Sequence, residues 1–461
     1  MPGSQPELNL NPNEIDARLN HTERIGGPQK SRLITLAIAL FLISMTFLIF
    51  VSWMKKIPLL SPYGIFVAFQ FLYNFAPWVT AFLGLDTVIF PLLGDLRLAE
   101  RQLYLSASAN LCFGACFLGF YRRVRLQPVA TDPSDAGRRK RFFLALFPLF
   151  ILSAVLGHFY GWNTITALTM DTDGSVAGGM FTVTAYVKYF FVGGYLYYLY
   201  KFGFDKWAGL LLLEHTIVML VDGARTTYLP IALFSLIVVG DNAKNEARRG
   251  RLYLIAFVGV LLSLVTRALI LTGDTSVLAK IFAPVMIEGT MGAYCSLQSL
   301  SAISQAGHPS YTFGLSYVVD PFVWFVPTGP IRDSLSFFQH WVDSISSVLG
   351  EPYSPMGGFY YGAEATAAFS YAGPAIVTSV YAIFLVWIER NKNTLRMLYV
   401  AAIPTLGILF VKTIFGNLVK MFFIQFGFVL CFVVAAKLWA VLERQNIASD
   451  AESISPEGNL L

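Results

Sequence analysis

The residues most able to do chemistry in this chain are charges at the ends of long apolar runs. The turn 222–225 contains Asp222 and Arg225 between two short runs, and Arg267 stands near the end of another. A charge at the centre of a membrane helix costs about 2.5–3.5 kcal/mol on insertion scales, so each needs a reason. A helix beginning near Thr226 would present backbone N–H groups beside a guanidinium, which predicts a phosphate site. The alternatives are an Asp222–Arg225 pair at the interface and an anchoring role for Arg267.

Glu364 ends a Gly-rich stretch, 357–364, that leads into the apolar run 366–388. A carboxylate at the mouth of a membrane helix could accept a proton as a general base. It could equally form an ion pair with Arg225 or Arg267, because charges in membranes tend to pair. Both interpretations stay open on the sequence.

The segment 272–365 is unusually rich in rings and hydrogen-bonding side chains. It contains Tyr294, His308, Tyr311, Tyr317, Trp324, Arg332, His340, Trp341, Tyr353, Tyr360 and Tyr361. Rings at this density suit either a belt at the membrane interface or stacking against sugar faces. A segment this long predicts helices that lie on the membrane, and 283–305 has the spacing of one.

Other signals are weaker. Asp171 and Asp173 could hold a metal with a nucleotide sugar, but they stand alone in a Gly-rich stretch. Glu214 and His215 are expected to be buried partners of other helices, with a proton path as the alternative. The sequence has no Walker loop, no H-E-x-x-H and no G-x-S-x-G, and its four cysteines form no metal pair. We therefore predict no metal and no cofactor.

The elements that must position these residues are membrane helices. The chain is 56% hydrophobic and 13% charged, against about 25% charged for soluble domains. About eleven apolar runs are long enough, or nearly so, to cross a hydrocarbon layer of about 30 Å. They are 33–54, 59–84, 103–121, 142–161, 181–200, 207–222, 227–240, 252–271, 366–388, 397–415 and 421–442. The net charge of +5 reflects anchoring basic residues better than nucleic-acid binding.

The charges between the runs predict an orientation. Basic residues cluster at 122–141, 244–251 and 390–396, which places these loops on the cytoplasmic side. The acidic segment 272–365 then lies outside, with Arg225, Arg267, Arg332 and Glu364 on that face. We predict a polar, disordered N-terminal tail (1–32), a transmembrane domain (33–442) and a disordered cytoplasmic tail (443–461).

The arrangement resembles the Wzy-type O-antigen and oligosaccharide repeat-unit polymerases. The likeness rests on the short helix pair joined by Gly223-Ala224-Arg225 and on the large outside loop late in the chain. Within the loop, 308–317 followed by Phe325-Val326-Pro327 is similar to the family's Gly-x-Ser-Tyr stretch and later proline. The stretch 357–364 with Gly373 is similar to its Gly-rich, Glu-containing segment. Lys412 departs from the arginine expected in the late helix, which loses bidentate phosphate geometry.

The resemblance implies an all-α, polytopic, GT-C-like bundle of about eleven spans, with a large periplasmic loop that contains interfacial helices. It implies a bacterial inner-membrane enzyme that moves a glycan from undecaprenyl diphosphate to another lipid-linked repeat unit at the periplasmic face. Membrane lipids and a chain-length regulator would be its further partners. Arg225 and Arg267 would clamp the diphosphate, Glu364 would be the base with His308 as the alternative base, and sugars would be oriented by Arg332, Tyr311, Tyr317, Tyr360 and Tyr361.

Two other functions remain open. An O-antigen ligase shares the architecture but moves the finished glycan onto lipid A core. A transporter or flippase of lipid-linked sugars would instead carry its functional charges through the midplane, whereas the suggestive charges here lie at the outer face.

Overall fold

The computed structural model of the chain is helical throughout the parts that it describes, and it has no strand there. These parts are residues 28–82, 96–127, 129, 135–159, 176–222, 225–241, 251, 254–255, 258–259, 262, 283–306, 312–326, 330–350, 353 and 359–453. The predicted all-α class is confirmed for them.

The first half of the chain supplies long helices and the short pair. In chain order they are α1 (Pro28–Lys55), α2 (Pro62–Phe82), α3 (Leu96–Phe120), α4 (Asp135–Phe159), α5 (Val176–Phe202), α6 (Lys206–Asp222) and α7 (Arg225–Asp241). The local sequence explains where α2 and α6 begin. Ser61 accepts the N–H of Gly64 at 3.2 Å with Pro62 as the first helical residue, and Asp205 accepts the N–H groups of Trp207 and Ala208.

The second half contains both long and short helices, with three short ones in succession after the first. They are α8 (Ala283–Ala306), α9 (Leu315–Val318), α10 (Asp320–Val323), α11 (Pro330–Leu335), α12 (Phe337–Leu349), α13 (Tyr361–Phe369), α14 (Gly373–Arg390), α15 (Arg396–Ala402) and α16 (Phe415–Ser453). A 3₁₀ turn, Ser370–Ala372, joins α13 to α14, and a π-helical turn, Ile403–Gly407, follows α15.

Within the described residues, four helical segments are long and apolar enough to cross a membrane. They are Ile34–Lys55, Arg97–Phe120, Tyr361–Arg390, which joins α13 to α14, and Phe415–Leu442 of α16. Leu229–Asp241 is a shorter apolar helix. The predicted runs 33–54, 103–121, 366–388 and 421–442 are therefore confirmed as helices of membrane-spanning character.

The core around the site is built on α3. This helix packs against both α1 and α14, and α8 packs against α2 and α3. Close approach of α8 to α2 depends on small residues: a Cβ at Gly292 would overlap the ring of Tyr73, and one at Gly289 would press on Ala76. Small residues at such spacing let membrane helices approach backbone to backbone.

The sequence-based interpretation of 283–305 was wrong in one respect. A helix is present there as α8, but it is buried within the bundle, and Ala293, Tyr294 and Cys295 are fully enclosed. Its small residues serve contact with α2 and α3, whereas a helix lying on the membrane would leave its apolar face open to lipid. The amphipathic helix of the segment is α12, which buries Phe338 and Trp341 against the protein.

The C-terminal boundary also differs from the expectation. A disordered tail was predicted from 443, but α16 continues as a helix to Ser453. Strong helix formers such as Leu442, Glu443, Arg444 and Gln445 extend it beyond the apolar stretch. The expected N-terminal tail lies outside the described residues as far as 27, and α1 begins at Pro28 rather than at 33.

At the end of the bundle away from α13, a buried ion cluster ties three segments together. Lys392 Nζ lies 2.6 Å from Asp241 Oδ2 on α7 and 3.1 Å from Glu389 Oε2 on α14. Asp241 also accepts the N–H of Leu126 at 2.9 Å. The cluster thereby fixes the loop after α3 against the ends of α7 and α14.

Candidate functional site

Glu364 is the buried carboxylate around which the candidate site is arranged. It lies in the first turn of α13 and is 1% exposed. Its Oε2 accepts the N–H of Phe415, the first residue of α16, at 2.9 Å. Its Oε1 is buried and has no hydrogen-bond partner among the described residues. One oxygen therefore caps α16 while the other can still accept a proton or a hydrogen bond.

The chain around Glu364 is held by long-range backbone contacts. Tyr361 donates its N–H to the carbonyl of Val411 at 3.1 Å, and Thr312 donates its N–H to Ala367 at 3.2 Å. The sharp change of direction between α13 and α14 needs Gly373, because a Cβ there would overlap the carbonyl of Ala365. In the sequence Gly373 stood out after the Gly-rich stretch, and this overlap explains why a glycine is required there.

Tyr360 and Tyr361 point their hydroxyls into a buried network. Tyr360 Oη donates to Gln70 Oε1 at 2.7 Å, and Gln70 Nε2 donates to Tyr361 Oη at 2.6 Å. Both hydroxyls are therefore engaged by α2. In this structure the two tyrosines fix α13 to α2 beside Glu364.

The network extends from α2 to α3. Asn74 Oδ1 accepts from Ser106 Oγ at 2.6 Å and from Gln102 Nε2 at 3.3 Å. Sequence reasoning missed these residues, although the signal was present. Gln70 and Asn74, and likewise Gln102 and Ser106, are four residues apart in apolar runs, which puts each pair on one helix face.

An apolar groove of about 390 Å³ opens beside this site, between α14 and the segment 406–419. Its walls include Val380, Tyr381, Phe384, Phe410 and Leu418. The volume falls within the roughly 300–1,000 Å³ typical of ligand sites. With such walls the groove suits an apolar chain.

Phe415 connects the groove to Glu364. Its ring lines the groove and lies 4.9 Å from the ring of Tyr317, while its backbone N–H binds the carboxylate. Tyr317, half-buried on α9, lines the groove as well. Burial and the neighbouring charge of Glu364 raise the pKa of Tyr317 well above its ordinary value of 10.0. Tyr317 therefore remains a neutral hydroxyl at the end of the groove.

Arg332 is connected to the beginning of α16 through Trp324. Its guanidinium stacks over the ring of Trp324 at 4.7 Å and pairs with Asp333 at 3.1 Å. The Trp324 ring in turn packs against Gly416, where a Cβ would overlap it. The predicted sugar-orienting arginine is thus within the same neighbourhood as Phe415, held by a stacking contact.

The buried Asp320 has a structural place. It accepts the N–H groups of Phe337 and Phe338, each at 2.9 Å, and the hydroxyl of Ser336 at 3.1 Å. Burial raises the pKa of Asp320, although these three hydrogen bonds oppose the rise. The carboxylate holds the beginning of α12 against α10.

The remaining predicted residues are described in part or not at all. His308, Tyr311 and Arg267 lie outside the described residues, as do Asp171 and Asp173. Arg225 is the first residue of α7, so the helix begins within one residue of the predicted start. The structure describes neither the side chain of Arg225 nor any part of Arg267. That the two arginines approach Glu364 therefore stays a prediction.

Glu214 and His215 are buried on α6, which confirms their predicted burial. The His215 ring stacks on Phe150 of α4 at 4.3 Å. Neither carboxylate oxygen of Glu214 has a hydrogen-bond partner among the described residues. Among all the residues that the structure describes, no three His, Cys, Asp or Glu side chains lie close enough together to hold a metal ion.

Comparison of the chain with protein-family models, with curated proteins and with solved structures found no match. The fold and the site define a helical protein of membrane character with a buried acid beside an apolar groove.

Proposed function

We propose that this protein is a membrane glycosyltransferase that polymerises lipid-linked oligosaccharide repeat units. The observation that carries the proposal is Glu364, whose buried Oε1 lacks a partner among the described residues and whose Oε2 binds Phe415, a residue that lines the apolar groove. A reaction between a sugar and a lipid-linked donor needs these two features side by side. They are a group that accepts a proton and a surface that holds an apolar carrier.

In the proposed reaction, an acceptor hydroxyl attacks the anomeric carbon of the donor glycan. The bond between that carbon and the diphosphate oxygen breaks, and its electron pair leaves with the diphosphate. The hydroxyl proton passes to Glu364 Oε1, and the growing glycan becomes attached to the acceptor repeat unit. Arg225 and Arg267 are proposed to stabilise the departing diphosphate, and His308 is the alternative base.

The groove supports a lipid carrier in particular. Its walls are apolar, and it reaches the carboxylate through Phe415. An isoprenoid chain attached to a diphosphate could lie in the groove while its head group reaches the region of Glu364. Tyr317, which contacts Phe415, and Arg332, which stacks on Trp324 beside Gly416, are proposed to orient sugars there.

The wider setting of the proposal follows the sequence. A GT-C-like bundle of about eleven spans in a bacterial inner membrane would place Glu364 at the periplasmic face. Undecaprenyl-diphosphate-linked oligosaccharide would be the substrate, and a chain-length regulator a further partner.

The decisive variant is Glu364→Gln. The amide oxygen of glutamine can still accept the N–H of Phe415, so α16 keeps its cap, but the side chain no longer takes up a proton. In proteoliposomes with a defined lipid-linked repeat unit, we expect chain extension to fall about 10²–10⁴-fold. Glu214→Gln is the matched control, because it neutralises another buried carboxyl, on a helix that does not line the groove. The Glu214→Gln variant should extend chains at the wild-type rate.

The products of the same assay separate the competing functions. Longer glycans on the lipid carrier support the polymerase, while transfer that occurs only with lipid A core as acceptor identifies a ligase. Movement of the lipid-linked sugar across the bilayer without any new glycosidic bond would identify a transporter. Full chain extension by Glu364→Gln would remove Glu364 from the mechanism even if the polymerase activity were real.

A further inference from the structure

The short helices α9, α10 and α11 carry large apolar side chains on their outer surface. Phe322 is 73% exposed and Ile331 is 70% exposed, and Val318 and Leu335 are exposed as well. Of the charged groups of this segment, Asp320 is buried at the start of α12 and Arg332 stacks on Trp324. Asp333, whose side chain is 47% exposed, pairs with Arg332 at 3.1 Å. Exposed apolar clusters of this kind are typical of surfaces that contact lipid or another protein.

The outer surface of these helices continues the lipid-facing surface of a candidate span. Phe325 lies 6.0 Å, ring to ring, from Phe423 of α16, which is itself exposed. At 1.5 Å per residue, Phe423 is about 12 Å along the helix from Phe415, where the candidate span Phe415–Leu442 begins. Leu430 and Val434 extend the same exposed apolar surface along α16. Phe325 is therefore at the level of acyl chains rather than of head groups.

The backbone of the segment is suited to that environment. Val319 donates its N–H to Leu315, Trp324 to Asp320 and Val326 to Val323, at 2.7–2.9 Å. A chain that enters lipid must satisfy its N–H and carbonyl groups internally. These successive turns do so within the segment.

The next helix marks the other side of the boundary. On α12 the exposed positions include His340, Asp343 and Ser347, while Phe338 and Trp341 face the protein. Phe337 and Val348, near the two ends of α12, are exposed as well, so the exposed surface becomes mainly polar, but not wholly so, from α11 to α12.

We propose that α9, α10 and α11 are inserted into the membrane leaflet that contains the N-terminal end of α16, with α12 lying outside it. Their partner is the acyl chain region of the bilayer. The inference rests on α14 and α16 as spans and not on the chemistry of Glu364. Since Tyr317 of α9 lines the groove, the groove then opens to the lipid phase, and an apolar ligand reaches Glu364 from within the leaflet.

Site-specific fluorescence tests the insertion. The native cysteines Cys112, Cys116, Cys295 and Cys431 are replaced, and single cysteines are introduced by Val318→Cys or Phe322→Cys and labelled with an environment-sensitive dye. Controls carry the dye through Asp343→Cys or Ser347→Cys. In proteoliposomes that contain acyl-chain nitroxide lipids, we expect several-fold stronger quenching at 318 and 322 than at 343 and 347. Equal, weak quenching at all four positions would overturn the proposal.

A second measurement uses the unmodified chain, in case the cysteine-free variant fails to fold. Proteoliposomes containing phospholipid with a diazirine on its acyl chain are irradiated, and the adducts are mapped by mass spectrometry. We expect adducts within 315–326 and 330–335 as well as on α14 and α16, and few on α12. Adducts on the spans but not on α9–α11 would show that these helices face water or a protein partner, and the insertion would be refuted.

Discussion

Gln70 is the residue on which the position of the two tyrosines depends. It accepts from Tyr360 and donates to Tyr361, within hydrogen-bond distances of 2.7 and 2.6 Å. In Gln70→Leu both hydroxyls lose this buried partner, and an unsatisfied buried group costs about 1–3 kcal/mol. We expect a lower thermal midpoint of unfolding in detergent, together with reduced chain extension because α13 is no longer fixed to α2.

The triple variant Gln70→Leu, Tyr360→Phe, Tyr361→Phe provides the control. It removes the hydroxyls along with their partner, and Asn74 Nδ2 keeps its hydrogen bond to the backbone carbonyl of Gln70 at 2.8 Å while it loses its bonds to the side chains of Gln70 and Tyr360. Much of the stability should therefore return. If the triple variant is less stable than Gln70→Leu alone, packing rather than hydrogen bonding determines the effect.

At this scale the sequence could predict residue types better than partners. Glu364 was identified because a carboxylate at a helix mouth is costly, and it is indeed in the first turn of α13. Its contact with Phe415, however, bridges fifty-one positions of the chain, and the Gln70–Tyr361 contact bridges 291. Such partners depend on how the helices pack, which spacing within one helix does not reveal.

At the level of helices and turns, Lys392 fixes the turn after α14 against α7. Its ammonium group satisfies two buried carboxylates, Asp241 and Glu389. Lys392→Met would leave both without their cation, and loss of one partner of a buried ion pair costs about 3–5 kcal/mol. We expect a marked fall in the free energy of unfolding, while the triple variant with Asp241→Asn and Glu389→Gln should recover part of it.

The same cluster predicts a pH effect with a definite sign. Burial alone would lower the pKa of Lys392, but the charges of Glu389 and Asp241 outweigh it and raise the pKa above its ordinary value of 10.5. A base whose pKa is raised on folding stabilises the fold below its unfolded pKa and loses that contribution as the pH rises through the folded value. The stability difference between wild type and Lys392→Met should therefore shrink above about pH 10.5. A constant difference across that range would exclude the ion pair as its source.

The helices show where pattern reading succeeds and where it fails. Apolar length predicted α1, α3, α14 and α16, because a long run of apolar residues has few other uses. For α8 the pattern of small residues was interpreted as a helix on the membrane, although small residues at helical spacing equally favour close packing inside a bundle. A helix on the membrane and a helix inside the bundle differ in which neighbours they contact, and those neighbours are set by the tertiary structure.

The whole molecule combines a buried acid, a fixing network and a groove that is open on one side. The sequence could indicate that functional groups gather around Glu364. The groove, however, is formed by α14 and residues 406–419 together with Tyr317, which stands well before them in the chain. The apolar pattern did not predict the turn at Gly373 or the π-helical turn Ile403–Gly407, which interrupts the run 397–415 that was interpreted as one span.

Blocking the groove tests the molecule as a whole. Val380 lines the groove and Ile383, on the same helix, is exposed outside it. Val380→Trp should occupy the space of a lipid chain and lower kcat/KM for the lipid-linked repeat unit by about tenfold, equivalent to about 1.4 kcal/mol. Ile383→Trp adds the same ring to the lipid-facing surface and should leave kcat/KM near the wild-type value. Because Val380→Trp leaves Glu364 and its contact with Phe415 in place, the loss should appear mainly in KM. A loss confined to kcat would mean that the groove serves the fold around Glu364 rather than the lipid carrier.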